Sequence, residues 1–238
     1  MRLFTRLGPT ATARITRTML SAIDEVSANR WEAAKARAAA LPGDLRPDKI
    51  KALTAAFSRE LGAAGAAAGA AAAAPAVGTT ATLVATLAEL AWFTGRAGDL
   101  VLTMAALHGR SDPTVDERRA WVLAVLIYGS SARDELSRAL NSASTGVTVA
   151  ADDRIPVATI QATNRLMSRA LARRYGTRRG LAALGRLIPI GIGAAIGGTT
   201  NYLTIRHLAD HADRFFTRLP YSAIDTRSTD ITDHQLSS

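Results

Sequence analysis

The residues best placed to do chemistry are three charges set among apolar neighbours: Glu89, Arg96 and Asp99. On a helix, Glu89 and Arg96 lie two turns apart on one face, and Arg96 and Asp99, three apart, can pair directly. Such a set can serve as a relay or a polar ligand site. The plainer reading, and the favoured one, is an ion pair that fixes the register of a helical hairpin. A hydrolase built on Asp99 with Glu89 requires both carboxylates to meet in an open pocket with a shifted pKa, and not in a closed pair with Arg96.

The histidines offer less. His207 and His211 are spaced i, i+4, with Asp210 between them and Asp213 nearby, and two imidazoles on one helix face can bind a metal. The zincin pattern needs a glutamate directly after the first histidine, whereas Leu208 stands there. The expectation is therefore a surface pair on an amphipathic helix and no metal. His108, at a helix end, reads as a C-terminal cap favoured by the helix dipole. No Ser-His-Asp set, phosphate loop or dinucleotide fingerprint occurs. The run Gly191-Ile-Gly193-Ala-Ala-Ile-Gly197 has the wrong spacing and no preceding strand. No catalytic residue and no cofactor are expected. The chain has no cysteine, which excludes disulfides, thiolate chemistry and cysteine-based zinc sites.

A third set of candidates is electrostatic. The net charge is +9, carried almost wholly by arginine, since Lys35, Lys49 and Lys51 are the only lysines. Arg165, Arg169 and Arg173 fall on one helical face, a patch suited to anionic headgroups or phosphates. Tyr175 is the lone aromatic nearby, so stacking of single-stranded bases is disfavoured and nucleic acid is not the expected partner. The adjacent apolar stretch favours lipid.

The elements that position these residues read as helices throughout. Hydrophobic residues make up 48% of the 238-residue chain but aromatics only 5%. Alanine supplies much of the rest, which favours helix and requires close helix-helix approach in place of bulky packing. Helix is expected over Thr10–Ala40, then from Pro47 into the alanine-glycine run, with a turn at Pro75 and a further helix ending near His108-Gly109. Ser111-Asp112-Pro113, a capping residue followed by proline, opens the next, which runs from Thr114 to Tyr128 and ends at Gly129. A shorter helix through Arg133–Leu140, a loop over 142–153 and a basic helix from Pro156 follow. The last helix has an apolar side of Ile205, Leu208, Ala212, Phe215 and Leu219. The expected fold is an all-α, Ala/Gly-rich helical bundle with two hydrophobic hairpin-like segments. Its parts are a basic N-terminal helical arm (1–45), a helical domain (46–219) and a disordered polar tail (220–238). The two uncharged stretches, Leu61–Ala88 and Leu187–Ile205, are interrupted by prolines, glycines or flanking charges. A buried or membrane-resting hairpin is therefore favoured over a bilayer span. Gly65-x-x-x-Gly69 and Gly193-x-x-x-Gly197 each set two glycines on one face, as at close helix crossings.

The C-terminal third carries a distinctive string: Ile188-Pro189, then Gly193-Ala-Ala-Ile-Gly197-Gly-Thr-Thr-Asn201-Tyr202, then Ala212 and Phe215-Phe216. It resembles the closing signature of the EcsC protein family, in which an Ile-Pro leads into a glycine-rich segment with an Asn, followed by an amphipathic helix. The order of elements from the alanine-glycine hairpin through the Asp99 helix is similar too, so the resemblance covers roughly Pro47 to Leu219. The family usually has a Tyr-Gly pair and an acidic residue where this chain has His108-Gly109-Arg110. In the motif, Asn201 is expected to satisfy backbone groups freed by Pro189 and the glycines. The family takes its name from a gene beside an ABC transporter involved in secretion and proteolysis. The resemblance therefore implies an accessory protein linked to a membrane, a transporter or a protease component, and no reaction. The resulting expectation is a non-enzymatic protein on the cytoplasmic side of the membrane, peripheral or partly inserted. The alternatives are a carrier enclosing an apolar, lipid-like ligand and the Asp99/Glu89 hydrolase.

Overall fold

The computed structural model describes residues 9–71, 79–144, 155–175 and 194–219. Expectations about Pro75, the part of the 142–153 loop from residue 145 onward, Pro189, Gly193 and the tail from Pro220 lie outside the described residues, while Ser142 and Ala143 belong to the helix that precedes that loop.

Every regular element among those residues is helical. In chain order they are α1 (Pro9–Asn29), α2 (Trp31–Ala40), α3 (Arg46–Ala71), α4 (Thr79–Leu107), α5 (Val115–Tyr128), α6 (Ala132–Ala143), α7 (Val157–Tyr175) and α8 (Ala194–Arg218). A single 3-10 turn, Gly129–Ser131, joins α5 to α6.

Two helices are central, and their sequences say why. Leu100–Leu107, apolar but for Thr103, and Ala120–Tyr128 are uncharged, and a helix without a polar face must be covered on all sides. Residues 97–105 of α4 and 120–125 of α5 are buried without a break. Helices α1, α2, α3, α5 and α8 pack on α4, while α1, α4, α6, α7 and α8 pack on α5. The outer helices bury one stripe each: Ile15, Met19, Ile23 and Val26 from α1, and Ile160, Met167 and Leu171 from α7. Ile205, Leu208, Ala212, Phe215 and Leu219 close the core from α8, the side read from the sequence. Burial of each large aliphatic or aromatic side chain contributes roughly 1.5–3 kcal/mol, so this continuous core dominates the stability.

The most extensive helix pairing is between α3, which carries Gly65 and Gly69, and α8. Gly65 is buried in α3, as a close crossing requires. Helix α3 also packs on α4, the next helix in the chain, but its more extensive contact is with α8.

One helix boundary and one cap differ from the sequence reading. The expected helix over Thr10–Ala40 is broken at Arg30, whose φ of −106° and ψ of 5° leave the helical region. The amide of Arg30 still reaches Val26 O, and Arg30 O still accepts from Ala34, so the chain kinks without losing its ladder. Helix α5 begins from Thr114 as expected, but the capping side chain is Thr114 itself and not Asp112. Thr114 Oγ1 accepts from the Glu117 amide at 3.3 Å, and Glu117 Oε2 accepts from the Thr114 amide at 2.6 Å. This is a reciprocal capping box that satisfies two exposed donors at once. Among the described residues, no helix is long and apolar enough to cross a membrane.

Candidate functional site

The charged set on α4 is the focus of a polar cluster that draws on four helices and the α1–α2 kink. Asp99 is almost fully buried, with 2% of its side chain exposed. Arg96 Nη1 donates to Asp99 Oδ2 at 2.6 Å, the direct i, i+3 pair expected. The other arm of Arg96 reaches Glu60 of α3 at 2.5 Å, so one guanidinium ties α3 to α4. Arg30, freed from the helix by the kink, places Nη1 4.0 Å from the same Asp99 oxygen while holding Glu25 at 3.2 Å. Arg37 of α2 donates to Thr103 Oγ1 at 3.1 Å, and that hydroxyl donates on to Asp99 O. The guanidiniums of Arg37 and Arg96 both lie against the ring of Phe57, 5.5 and 4.7 Å from its centroid, where the ring quadrupole attracts a cation.

The electrostatics follow from this geometry. Burial alone would lower the Arg96 pKa, but hydrogen bonds and charge from Glu60 and Asp99 outweigh it and the net shift is upward. Arg37 is shifted downward, by burial first and by Arg96 and Arg30 as like charges, with Asp99 and Glu60 opposing. The cluster is therefore a compensated ionic network in which every carboxylate faces a guanidinium.

Glu89 stands apart. It is half-buried, and burial raises its carboxyl pKa. Ten residues along α4 separate it from Asp99, a rise of about 15 Å. The two carboxylates do not meet, and Asp99 is closed into its pair with Arg96. Glu60, Arg30 and Arg37 escaped the sequence reading because their distance along the chain hides their proximity; only the folded topology brings them to Asp99.

Beside this network a cleft opens between α1 and α4. Arg17, Ser21 and Glu25 line it from α1, Trp92 and Asp99 from α4, and Arg30 from the kink; its volume is about 590 Å³. Gly98 lets α1 approach α4 closely at Val26.

The other candidates fall elsewhere. His108 does not end as a simple cap: its Nε2 lies 2.9 Å from Asp213 Oδ1, linking the end of α4 to α8. Burial lowers its pKa, with Asp213 opposing and Arg46 and Arg110 reinforcing. Arg110 takes up the capping role on the other helix, donating to the carbonyl oxygens of Phe216 and Leu219 at the end of α8, where the dipole favours a cation. Phe216 packs edge-on against Trp121 at 5.4 Å. His207 is exposed and His211 half-buried against Gly129. Among the described residues no group of three or more His, Asp or Glu could hold a metal. Gly197 and Asn201 lie within α8, and Tyr202, half-exposed, stacks with Arg206 at 5.8 Å. Arg165, Arg169 and Arg173 are all exposed on α7.

Comparison with the curated proteins and with the solved structures finds no match for this chain. The EcsC protein family matches residues 9–219, which takes in all the described helices and begins upstream of Pro47, and the chain belongs to that family.

Proposed function

We propose that this chain is a non-enzymatic accessory protein that docks on an anionic membrane surface through α7. The observation that carries the reading is the arginine stripe. Arg165, Arg169 and Arg173 are exposed at i, i+4 and i+8, and none has an ion-pair partner among the described residues. The opposite side of α7 is fixed: Ile160, Met167 and Leu171 are in the core, and Asn164 donates to Asp116 O at 2.9 Å. The stripe is thus held outward on a rigid helix, at a spacing that suits a row of headgroups. The contact proposed is electrostatic and peripheral, on the cytoplasmic side, where anionic lipid attracts basic residues. A role beside a transporter or secretion component is the part of the proposal drawn from family membership.

Sedimentation with vesicles tests it. The protein should bind vesicles containing roughly a third phosphatidylglycerol and ignore those of phosphatidylcholine alone. About 0.5 M salt should release it, because the Debye length then falls to a few ångströms. Replacing Arg165, Arg169 and Arg173 together by Ala should weaken binding about a hundredfold, at about 1 kcal/mol per residue near the surface. Equal binding to both vesicle types, or an unaffected triple variant, sinks the proposal.

A further inference from the structure

Among the described residues, the cleft between α1 and α4 carries unpartnered polar groups of different kinds at two depths, with Arg96 Nε, buried and unpartnered too, beside the deeper one. The first is at its floor. Asp99 Oδ2 is taken by Arg96 and approached by Arg30, but Oδ1 is buried and has no hydrogen-bond partner among the described residues. The second is at its mouth. Arg17 is exposed and lines the cleft, and no ion pair holds it among the described residues, whereas Arg30 already holds Glu25.

The surrounding charges decide what the floor can accept. Asp99 is one carboxylate facing Arg96 and Arg30, with Arg37 close behind. What Oδ1 lacks is therefore a hydrogen-bond donor and not another positive charge. An ammonium group would be repelled by three guanidiniums, while a hydroxyl donates without adding charge. At the mouth the requirement is the reverse: Arg17 offers a guanidinium fork suited to a carboxylate or a phosphate. Trp92, 41% exposed, supplies an apolar wall beside Ala22 and Ala91. A volume of about 590 Å³ lies in the range of small-molecule sites.

We infer that the cleft binds a small hydroxylated anion, a polyol phosphate or hydroxy-carboxylate, with a hydroxyl on Asp99 Oδ1 and the anionic group at Arg17. Glycerol phosphate has this chemistry both as a free molecule and as the headgroup of phosphatidylglycerol. The inference is independent of the α7 stripe.

Titration calorimetry of the full chain tests it, with glycerol 3-phosphate and glycerate as probes and ethyl phosphate, which has the anion but no free hydroxyl, as control. At least one of the two probes should bind saturably, and ethyl phosphate should bind at least tenfold more weakly. Arg17→Ala breaks no ion pair of the described structure and should leave the thermal midpoint unchanged while reducing affinity at least tenfold. Ser21→Trp, at an exposed lining position, should block the cleft. Vesicle binding of the Arg165, Arg169, Arg173 triple variant, which α7 no longer holds on the membrane, identifies the source: binding to phosphatidylglycerol vesicles that free glycerol 3-phosphate displaces means a headgroup site, and titration by the free probe without vesicle binding means a soluble ligand. The Arg165, Arg169, Arg173 triple variant should titrate as the unmodified protein does, which separates this site from the membrane reading. No saturable heat with either probe, equal binding of ethyl phosphate, or full affinity in Arg17→Ala overturns the inference.

Discussion

Val26 of α1 lies over Gly98 of α4 so closely that a β-carbon at position 98 would come 2.9 Å from Val26 Cγ1. One turn earlier, at Gly95, the same construction meets Val26 Cγ2 at 3.8 Å, an ordinary contact. Two glycines on one helix thus have opposite reasons to be there. Gly98 is required by the close crossing of α1 and α4 at Val26, and Gly95 is not.

This difference gives a paired prediction. Gly95→Ala should stabilise the fold by up to about 1 kcal/mol, through the better helix propensity of alanine. Gly98→Ala gains the same propensity but overpacks the crossing, which costs typically 1–3 kcal/mol; its net effect should be destabilising. Urea unfolding reads both, and Val26→Ala should relieve the second. A raised midpoint for Gly98→Ala would show that α1 sits farther from α4 than described.

The ion pair below the cleft makes a sharper one. Arg96 compensates a carboxylate that is 2% exposed, so Arg96→Ala leaves a buried charge without its main partner. Loss of one partner of a buried pair costs about 3–5 kcal/mol. Glu60, the other partner of Arg96, is 42% exposed, and Glu60→Ala should cost less than about 1 kcal/mol. Similar losses in the two variants would mean that Asp99 does not depend on Arg96.

The start of α5 rests on the Thr114 capping box. Thr114→Ala removes the acceptor for the Glu117 amide and should cost about 1 kcal/mol. Asp112→Ala, at the position the sequence had suggested as a cap, removes no such bond; at φ +41° it should cost only what the strained backbone imposes. Equal losses at both positions would argue for a start nearer Asp112.

These cases show what the sequence could disclose. Local chemistry was legible: the Arg96–Asp99 pair follows from spacing alone, the apolar side of α8 from its periodicity, and the end of α5 from Gly129. The Thr114-x-x-Glu117 signal was present too, but it was masked by the more conspicuous Asp112-Pro113. The kink at Arg30 has no proline or glycine to announce it. Nor could spacing show that Glu60, Arg30 and Arg37 gather at Asp99, or that α8 pairs with α3. Those relationships depend on which apolar surfaces find each other, and alanine-rich helices offer many nearly equivalent ones.

The link between α4 and α8 at His108 and Asp213 gives a pH dependence whose sign can be worked out. The folded-state pKa of His108 lies below its ordinary value of 6.5, with burial the main cause. Above that ordinary value both folded and unfolded chains hold the ring neutral, and it has no effect on stability. As pH falls below about 6.5, the unfolded chain takes up the proton first and stability declines, until the folded ring also protonates. His211 is shifted in the same direction, by burial and then Arg214 and His207, and adds to the decline. Glu89 works oppositely, because its raised carboxyl pKa favours the folded state on acidification. Unfolding midpoints measured from pH 7.5 to 5 should therefore fall for the unmodified protein and fall less steeply for His108→Gln, with His211→Gln as the second variant. An unchanged slope in His108→Gln would place the acid sensitivity elsewhere and remove this link as its source.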